Sequence, residues 1–177
     1  MALLNSLLML VYIILVLYSA ISDARTLRIP NWISLTLLVA FLGIAVSVAM
    51  PLETIAWHLA AGVVTLVFCF GLFAFGYFGG GDAKLMATCA LWVGWPHLLK
   101  FVFAVLLVGG GLSVLVLLLR KGLGFWPDWL VKSADGLFTP NKAIPYGIAI
   151  AVGAMIVVPI MDTLPPDWRS LYNVLVG

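Results

Sequence analysis

Charge is scarce in this sequence. Only 9% of its 177 residues are charged, whereas about 25% is usual for a soluble domain. Hydrophobic residues make up 64% of the chain, and the mean hydropathy is +1.21. These values exclude a soluble globular protein and predict an integral membrane protein in contact with lipid. The net charge is only +2 and is spread over short segments, which excludes a nucleic-acid partner.

Cysteine is scarce as well. The two cysteines, Cys69 and Cys89, each lie in an apolar stretch and form no CxxC pair. The spacing excludes a paired-thiolate metal site and favours two free packing residues. We expect neither a metal nor a cofactor.

Six apolar runs predict an all-α membrane protein, a single-domain bundle of six transmembrane helices that comprises residues 1–177. The first run lacks a basic segment before it and a small-residue cleavage site, so we interpret it as a retained span rather than a signal peptide. About 20 apolar residues cross a hydrocarbon core of roughly 30 Å. The runs cover residues 3–21, 32–50, 55–78, 83–95, 98–119 and 143–161.

Lysine and arginine are distributed unevenly between the two sides of this predicted bundle. Seven of the nine follow spans one, three and five, and cytoplasmic loops carry the excess of such residues. The pattern predicts a multi-pass protein of the cell inner membrane with both termini extracytoplasmic and a long cytoplasmic loop at about residues 120–142. The seven are Arg25, Arg28, Lys84, Arg120, Lys121, Lys132 and Lys142; the other two are Lys100 and Arg169.

Two of the seven acidic residues differ from the others in position. Asp23 and Asp82 each join a predicted span directly on the cytoplasmic side. Ionisable side chains at membrane depth are costly and usually functional. The remaining acids fall in predicted loops, where water solvates them: Glu53, Asp128, Asp135, Asp162 and Asp167.

The fourth apolar run is unusually short. From Asp82 to Trp95 a helix would measure about 21 Å, less than the roughly 30 Å core, so its cytoplasmic end should be submerged. Three glycines, Gly79, Gly80 and Gly81, come directly before it and favour an irregular backbone that turns sharply or passes close to another segment of the chain. Irregular backbone at membrane depth needs a hydrated cavity, which predicts a water-accessible site at Asp82.

Two carboxylates in such a cavity predict aspartyl hydrolase chemistry. They cannot both ionise easily and therefore share one proton. One can take a proton from water while the other protonates the developing oxyanion; which of them is the base stays open. Two alternatives also stay open: a carboxylate-dependent ion or proton transporter, and a hydrolase that uses Ser22 and Lys84.

Three segments resemble motifs of the type IV prepilin peptidases, which are GxGD intramembrane aspartyl proteases. Residues 23–31, DARTLRIPN, are similar to the family's D-x-R/K-x-x-x-I-P-N motif, and residues 79–85, GGGDAKL, to its G-x-G-D-x-K-L motif. Residues 144–147, IPYG, resemble its C-terminal I-P-Y/F-G stretch. The three occur in the family's order.

The resemblance implies that Asp23 and Asp82 are catalytic and that a basic leader is cut from prepilin or pseudopilin substrates at the cytoplasmic face, just before the hydrophobic helix of the substrate. Large members carry paired CxxC motifs and an insert between the first two spans, and they N-methylate the product. Lacking both, the chain resembles the short, peptidase-only branch of tight-adherence (Flp) pili. A non-catalytic pilus-assembly membrane protein is a further alternative, and the oligomeric state stays open.

Other residues are predicted to support this site or the membrane position. For Lys84, tuning of the site competes with simple anchoring on the cytoplasmic side. His58 and His97 fall near the outer ends of spans and are predicted to be interfacial anchors. The candidates for site support or substrate contact are Gly79, Gly81, Lys84, Pro145 and Tyr146.

Overall fold

The computed structural model describes residues 2–121, 144–165, 168–170 and 174. This part of the chain is helical and contains no strand. Two 3₁₀ helices, Trp95–His97 and Val158–Ile160, follow the fourth and sixth helices. The predicted loop at about 120–142 falls almost wholly outside the described residues. The α-helices that can be given bounds are α1 Ala2–Thr26, α2 Asn31–Ser47, α3 Leu52–Ala74, α4 Gly80–Val93, α5 Leu98–Lys121 and α6 Tyr146–Val157.

Prolines mark the beginnings of three of these helices. Pro30, Pro51 and Pro145 immediately precede α2, α3 and α6. A proline has no N–H to donate and disfavours helical backbone in the residue before it. Each therefore separates its helix sharply from the preceding segment.

Within the described residues, three helices are long and apolar enough to cross a bilayer: Leu3–Thr26, Leu52–Ala74 and Trp95–Arg120. Their apolar side chains are largely exposed on the outside of the bundle, as expected for a lipid-facing surface. The chain is therefore a helical membrane protein. The helices α2, α4 and α6 are shorter, with 17, 14 and 12 residues.

The short helix α4 lies at the centre of the bundle. Nine of its 14 residues are buried, and it packs against α2, α3 and α6. Trp92 fixes its far end, because the indole N–H donates to the Leu37 carbonyl at 2.9 Å. The ring of Tyr12 on α1 stacks on the same indole with centroids 4.6 Å apart. Side chains from three helices thus meet at Trp92.

The remaining helices pack around α4 unequally. The helix α6 packs against both α1 and α5, whereas α3 packs chiefly on α4. The close approach of α6 to α5 occurs at Gly153, where an added Cβ would lie 3.0 Å from the backbone nitrogen of Val105. This arrangement brings together the end of α1 and the beginnings of α4 and α6.

Candidate functional site

The structure brings Asp23 and Asp82 to one pocket of about 420 Å³. Asp23 lies in the last turn of α1 and Asp82 in the first turn of α4. Their carboxylates are close enough for their charges to interact. The other walls come from the α1–α2 connection and the glycines before Asp82: Leu27, Arg28, Ile29, Pro30, Asn31, Gly79, Gly80 and Gly81. Two residues 59 positions apart in sequence therefore face the same small space.

Asp23 is held by the beginning of α6. The backbone N–H of Gly147 donates to Asp23 Oδ2 at 2.7 Å, and Asp23 is only 4% exposed. The first N–H groups of a helix have no partner within the helix and carry partial positive charge, so a carboxylate is a favourable acceptor there. A Cβ at Gly147 would lie 2.8 Å from Asp23 Cβ. The contact therefore requires glycine.

Asp82 is oriented by the residue that precedes its own helix. The backbone N–H of Gly79 donates to the Asp82 carboxylate, which is the return bond of a helix capping box. A Cβ at Gly79 would collide with Asp82 Oδ2. The other oxygen, Oδ1, is buried and has no hydrogen-bond partner among the described residues. A buried oxygen without a partner is energetically costly, so this oxygen is the one acceptor of the carboxylate that the described residues leave unsatisfied.

The glycine segment differs from its predicted irregular backbone. Gly80 and Gly81 belong to the first turn of α4, and only Gly79 lies outside it. Their small size serves close approach instead: a Cβ at Gly81 would lie 3.2 Å from Ile29 Cβ, and one at Gly80 would lie 3.3 Å from the Phe73 ring. The prediction of irregular backbone was therefore wrong for these two positions, because α4 already begins at Gly80, whereas the predicted close approach to other segments is confirmed.

Lys84 connects two of the motifs. Its Nζ donates to Asn31 Oδ1 at 3.0 Å, which joins α4 to the first residue of α2. Lys84 does not line the pocket of the two aspartates; it lines a separate groove with Ser34. This hydrogen bond between α4 and α2 gives Lys84 a structural role.

The Ser22 hydroxyl is bonded to a backbone carbonyl and not to Lys84. Its hydroxyl donates to the carbonyl oxygen of Arg28 at 2.8 Å, and Thr26 donates to the same oxygen at 3.3 Å. These bonds close the turn after α1. Neither the Ser22 hydroxyl nor the Lys84 ammonium bonds to the other, so the geometry does not favour the Ser22–Lys84 hydrolase.

Pro145 and Tyr146 flank the site without facing the carboxylates. Pro145 is buried directly before α6. The Tyr146 ring packs edge-on against Phe78 with centroids 5.7 Å apart, and it covers Gly109, where an added Cβ would lie 2.9 Å away. Pro145 and Tyr146 were predicted from the sequence to support the site, whereas Gly147, whose backbone N–H donates to Asp23 Oδ2, was not. The resemblance of residues 144–147, IPYG, to the family motif was the sequence feature that could have indicated it.

His58 lies elsewhere and contradicts its predicted role as an interfacial anchor. It is 1% exposed, and its Nδ1 lies 2.7 Å from the Leu91 carbonyl oxygen. A carbonyl can only accept, so Nδ1 carries the proton. The prediction was wrong because α4 ends near this level, and its last turn covers the imidazole. The two cysteines are free and buried, as predicted.

The fold and pocket define a helical membrane protein in which two carboxylates from different helices meet near the ends of those helices. The model of one protein family, described as the type IV leader peptidase family, matches residues 10–114. The chain belongs to the type IV leader peptidase family, and its role is that of a leader peptidase. Both aspartates lie within the matched residues, whereas Gly147 lies beyond them. No curated protein and no solved structure gives a significant match.

Proposed function

We propose that this leader peptidase is an aspartyl endopeptidase whose catalytic pair is Asp23 and Asp82. The observation that carries the proposal is their shared pocket, in which backbone N–H groups orient both carboxylates. Asp82 Oδ1 has no partner among the described residues, so this acceptor is not committed to a structural hydrogen bond. The substrates are prepilins or pseudopilins that carry a basic leader.

The reaction needs only one water molecule and the shared proton of the carboxylate pair. Close carboxylates hold one proton between them because ionising both is costly. One carboxylate accepts a proton as water attacks the peptide carbon, and the other donates its proton to the carbonyl oxygen. Collapse of the tetrahedral intermediate breaks the C–N bond, and the leaving nitrogen takes up a proton. No metal or cofactor enters this sequence.

The proposed topology has six helices crossing the inner membrane as one domain of residues 1–177, with both termini extracytoplasmic. Arg25 and Arg28 at the end of α1 and Lys84 in α4 lie at the same end of the bundle as the aspartates, and positive residues favour the cytoplasm. The site would therefore act at the cytoplasmic face. Lipid would surround the exposed apolar surface.

The chain is further proposed to belong to the Flp-type, peptidase-only branch. The connection between α1 and α2 spans only residues 27–30, and the sequence has no CxxC pair. These features support cleavage without N-methylation. A processed pilin with the mass of the unmethylated product would be the expected result.

Asparagine substitution of each aspartate tests the proposal. Candidate prepilins are co-expressed with wild type, Asp23→Asn or Asp82→Asn, and leader removal is followed by mass spectrometry. Each variant should lose at least about 1,000-fold in processing rate, because asparagine can neither accept nor donate the catalytic proton. Asp162→Asn changes an exposed acid at the other end of the bundle and is the matched control. Full processing by either site variant would refute the aspartyl pair.

A further inference from the structure

A second pocket beside the aspartates is lined almost entirely by apolar side chains. It lies between α3 and α5 and has a volume of about 420 Å³. We propose that this lateral groove, formed by Val64, Phe68, Leu72, Val102, Leu106 and Tyr146, binds the hydrophobic helix that follows the cleavage site of the substrate. The inference rests on the proposed function and assigns a docking surface to it.

The groove exists because α4 is short and central. The helix α3 packs chiefly on α4, while α5 packs chiefly on α6, so α3 and α5 leave a cleft between them. Cys69 and Met86 form part of the cleft and are buried. Val64 and Phe68, which border it, are 50% and 68% exposed. A helix laid in the cleft would cover these side chains by close packing, which drives helix association in lipid.

The groove lies next to the acid pocket, because two residues of its wall directly precede glycines that contact the aspartates. Tyr146 in its wall precedes Gly147, whose N–H holds Asp23. Phe78, also in the wall, precedes the Gly79 that orients Asp82. A helix bound here would thus end beside both carboxylates, and the chain before it would lead into the acid pocket.

The depth of the site suits a helix that enters from the side. Cys69 lies five residues before the end of α3 at Ala74, which corresponds to about 7 Å along the helix. The helix α4 packs on α3, and its residue Gly80 already lies against the ring of Phe73 near the end of α3, so Asp82, two residues further along α4, lies deeper than that end. A peptide bond at the end of a membrane-embedded helix could reach such a position through a lateral opening.

Charge distinguishes this groove from its neighbour. The groove between α2 and α3 has a volume of about 370 Å³ and is also largely apolar, but Lys84 lines it. A basic leader would be repelled by that ammonium. Among the described residues no charged side chain lines the groove between α3 and α5, and the acid pocket next to it contains two aspartates and one arginine, Arg28. The groove of α3 and α5 is therefore the better fit to this substrate.

Two adjacent valines on α3 provide a matched test. Val64 lines the lateral groove and Val63 the groove with Lys84, and their exposed fractions are 50% and 56%. Val64→Trp should raise KM for full-length prepilin about tenfold, which corresponds to about 1.4 kcal/mol. It should leave cleavage of a short leader peptide without the hydrophobic helix unchanged. Val63→Trp should leave both substrates unchanged.

The outcomes separate this inference from the proposed function. Loss of processing in Asp82→Asn tests the proposed function. The docking site alone would be overturned if an active Val64→Trp enzyme had an unchanged KM, or if Val64→Trp and Val63→Trp had equal effects. Should Val64→Trp fail to accumulate, a photo-crosslinking phenylalanine at Phe68 in the Asp82→Asn background should capture prepilin. The same probe at Leu66, in the other groove, should not. Capture at Leu66 instead, or of lipid alone at Phe68, would refute the proposal.

Discussion

The two ends of the bundle each bury an ionisable side chain against a glycine. At one end Asp23 lies against Gly147, and at the other His58 lies against Gly94, where an added Cβ would sit 2.7 Å from the imidazole. The partners differ. Asp23 faces a second carboxylate across a pocket, whereas His58 is packed against Phe41 and bonded to a backbone carbonyl of α4. Burial of an ionisable group therefore does not by itself indicate a catalytic site. What distinguishes the end with Asp23 is a second carboxylate, Asp82, in the same pocket.

Both ends also contain a buried polar atom without a hydrogen-bond partner among the described residues. These atoms are Asp82 Oδ1 and His58 Nε2. Asp82 shares its pocket with the buried carboxylate of Asp23. His58 borders a pocket of about 310 Å³ in which the acid, Asp162, is exposed. Among the described residues Asp162 is the only acid that lines this pocket, so the pocket does not contain a pair of carboxylates like the one proposed for catalysis.

Apart from substitution of the aspartates themselves, changing the glycine at the acid end should produce the largest effect. In Gly147→Ala the new methyl group would displace Asp23 or remove its 2.7 Å bond from the backbone N–H. Displacing a reacting group by about 1 Å can cost about 100-fold in rate, and we expect at least that loss of leader processing. Processing assays with equal amounts of membrane-inserted protein would measure it.

Gly110→Ala is the control for this change, because an added Cβ there has open space. It should process prepilin at the wild-type rate. Equal activity of Gly147→Ala and wild type would show that the contact with Asp23 does not position the carboxylate.

The glycine at the opposite end should affect stability rather than chemistry. Gly94 has φ of 75°, and His58 leaves no space for a Cβ. We expect Gly94→Ala to lower the free energy of unfolding by about 2 kcal/mol, from backbone strain and the displaced imidazole. Denaturation in detergent micelles measures the change, and processing per folded molecule should stay constant.

Gly76 supplies the matched control for that change. Its φ is 77°, nearly the same, but an added Cβ meets nothing within 4 Å. Gly76→Ala should therefore cost only the backbone strain, about 1 kcal/mol. A loss of specific activity in Gly94→Ala would contradict the separation of the two ends.

The smallest effect is expected at Lys84, which lies near the acid pocket but bonds to Asn31. Lys84→Met keeps the length of the side chain and removes its 3.0 Å hydrogen bond. We expect a loss of about 1 kcal/mol in stability and less than about tenfold in activity, because the lysine links helices rather than reacts.

The double variant with Asn31→Ala separates these roles. If the bond accounts for the effect, the second change should add little to the first. Lys100→Met, at the opposite end, should match wild type. A loss of activity as large as that of Asp82→Asn would instead place Lys84 in the reaction.

Much of this architecture was predictable from local patterns. Each predicted apolar run coincides with an α-helix of the described residues, because apolar residues in sufficient length favour a helix in lipid. The family and the two distinctive aspartates were also predictable, since the motifs are short and continuous. The short length of α4 was also predicted, whereas its central position and the burial of His58 were not, because they depend on which helices surround α4.

The sequence by itself determined that the chain is an apolar helical membrane protein with two acids placed unlike all others. Only the tertiary structure decided which groups hold those acids. Gly147 lies 124 positions from Asp23, and no local pattern specifies that its N–H meets that carboxylate. Helix formation depends on residues a few positions apart, whereas the geometry of a site depends on the packing of α1, α4 and α6 as one body.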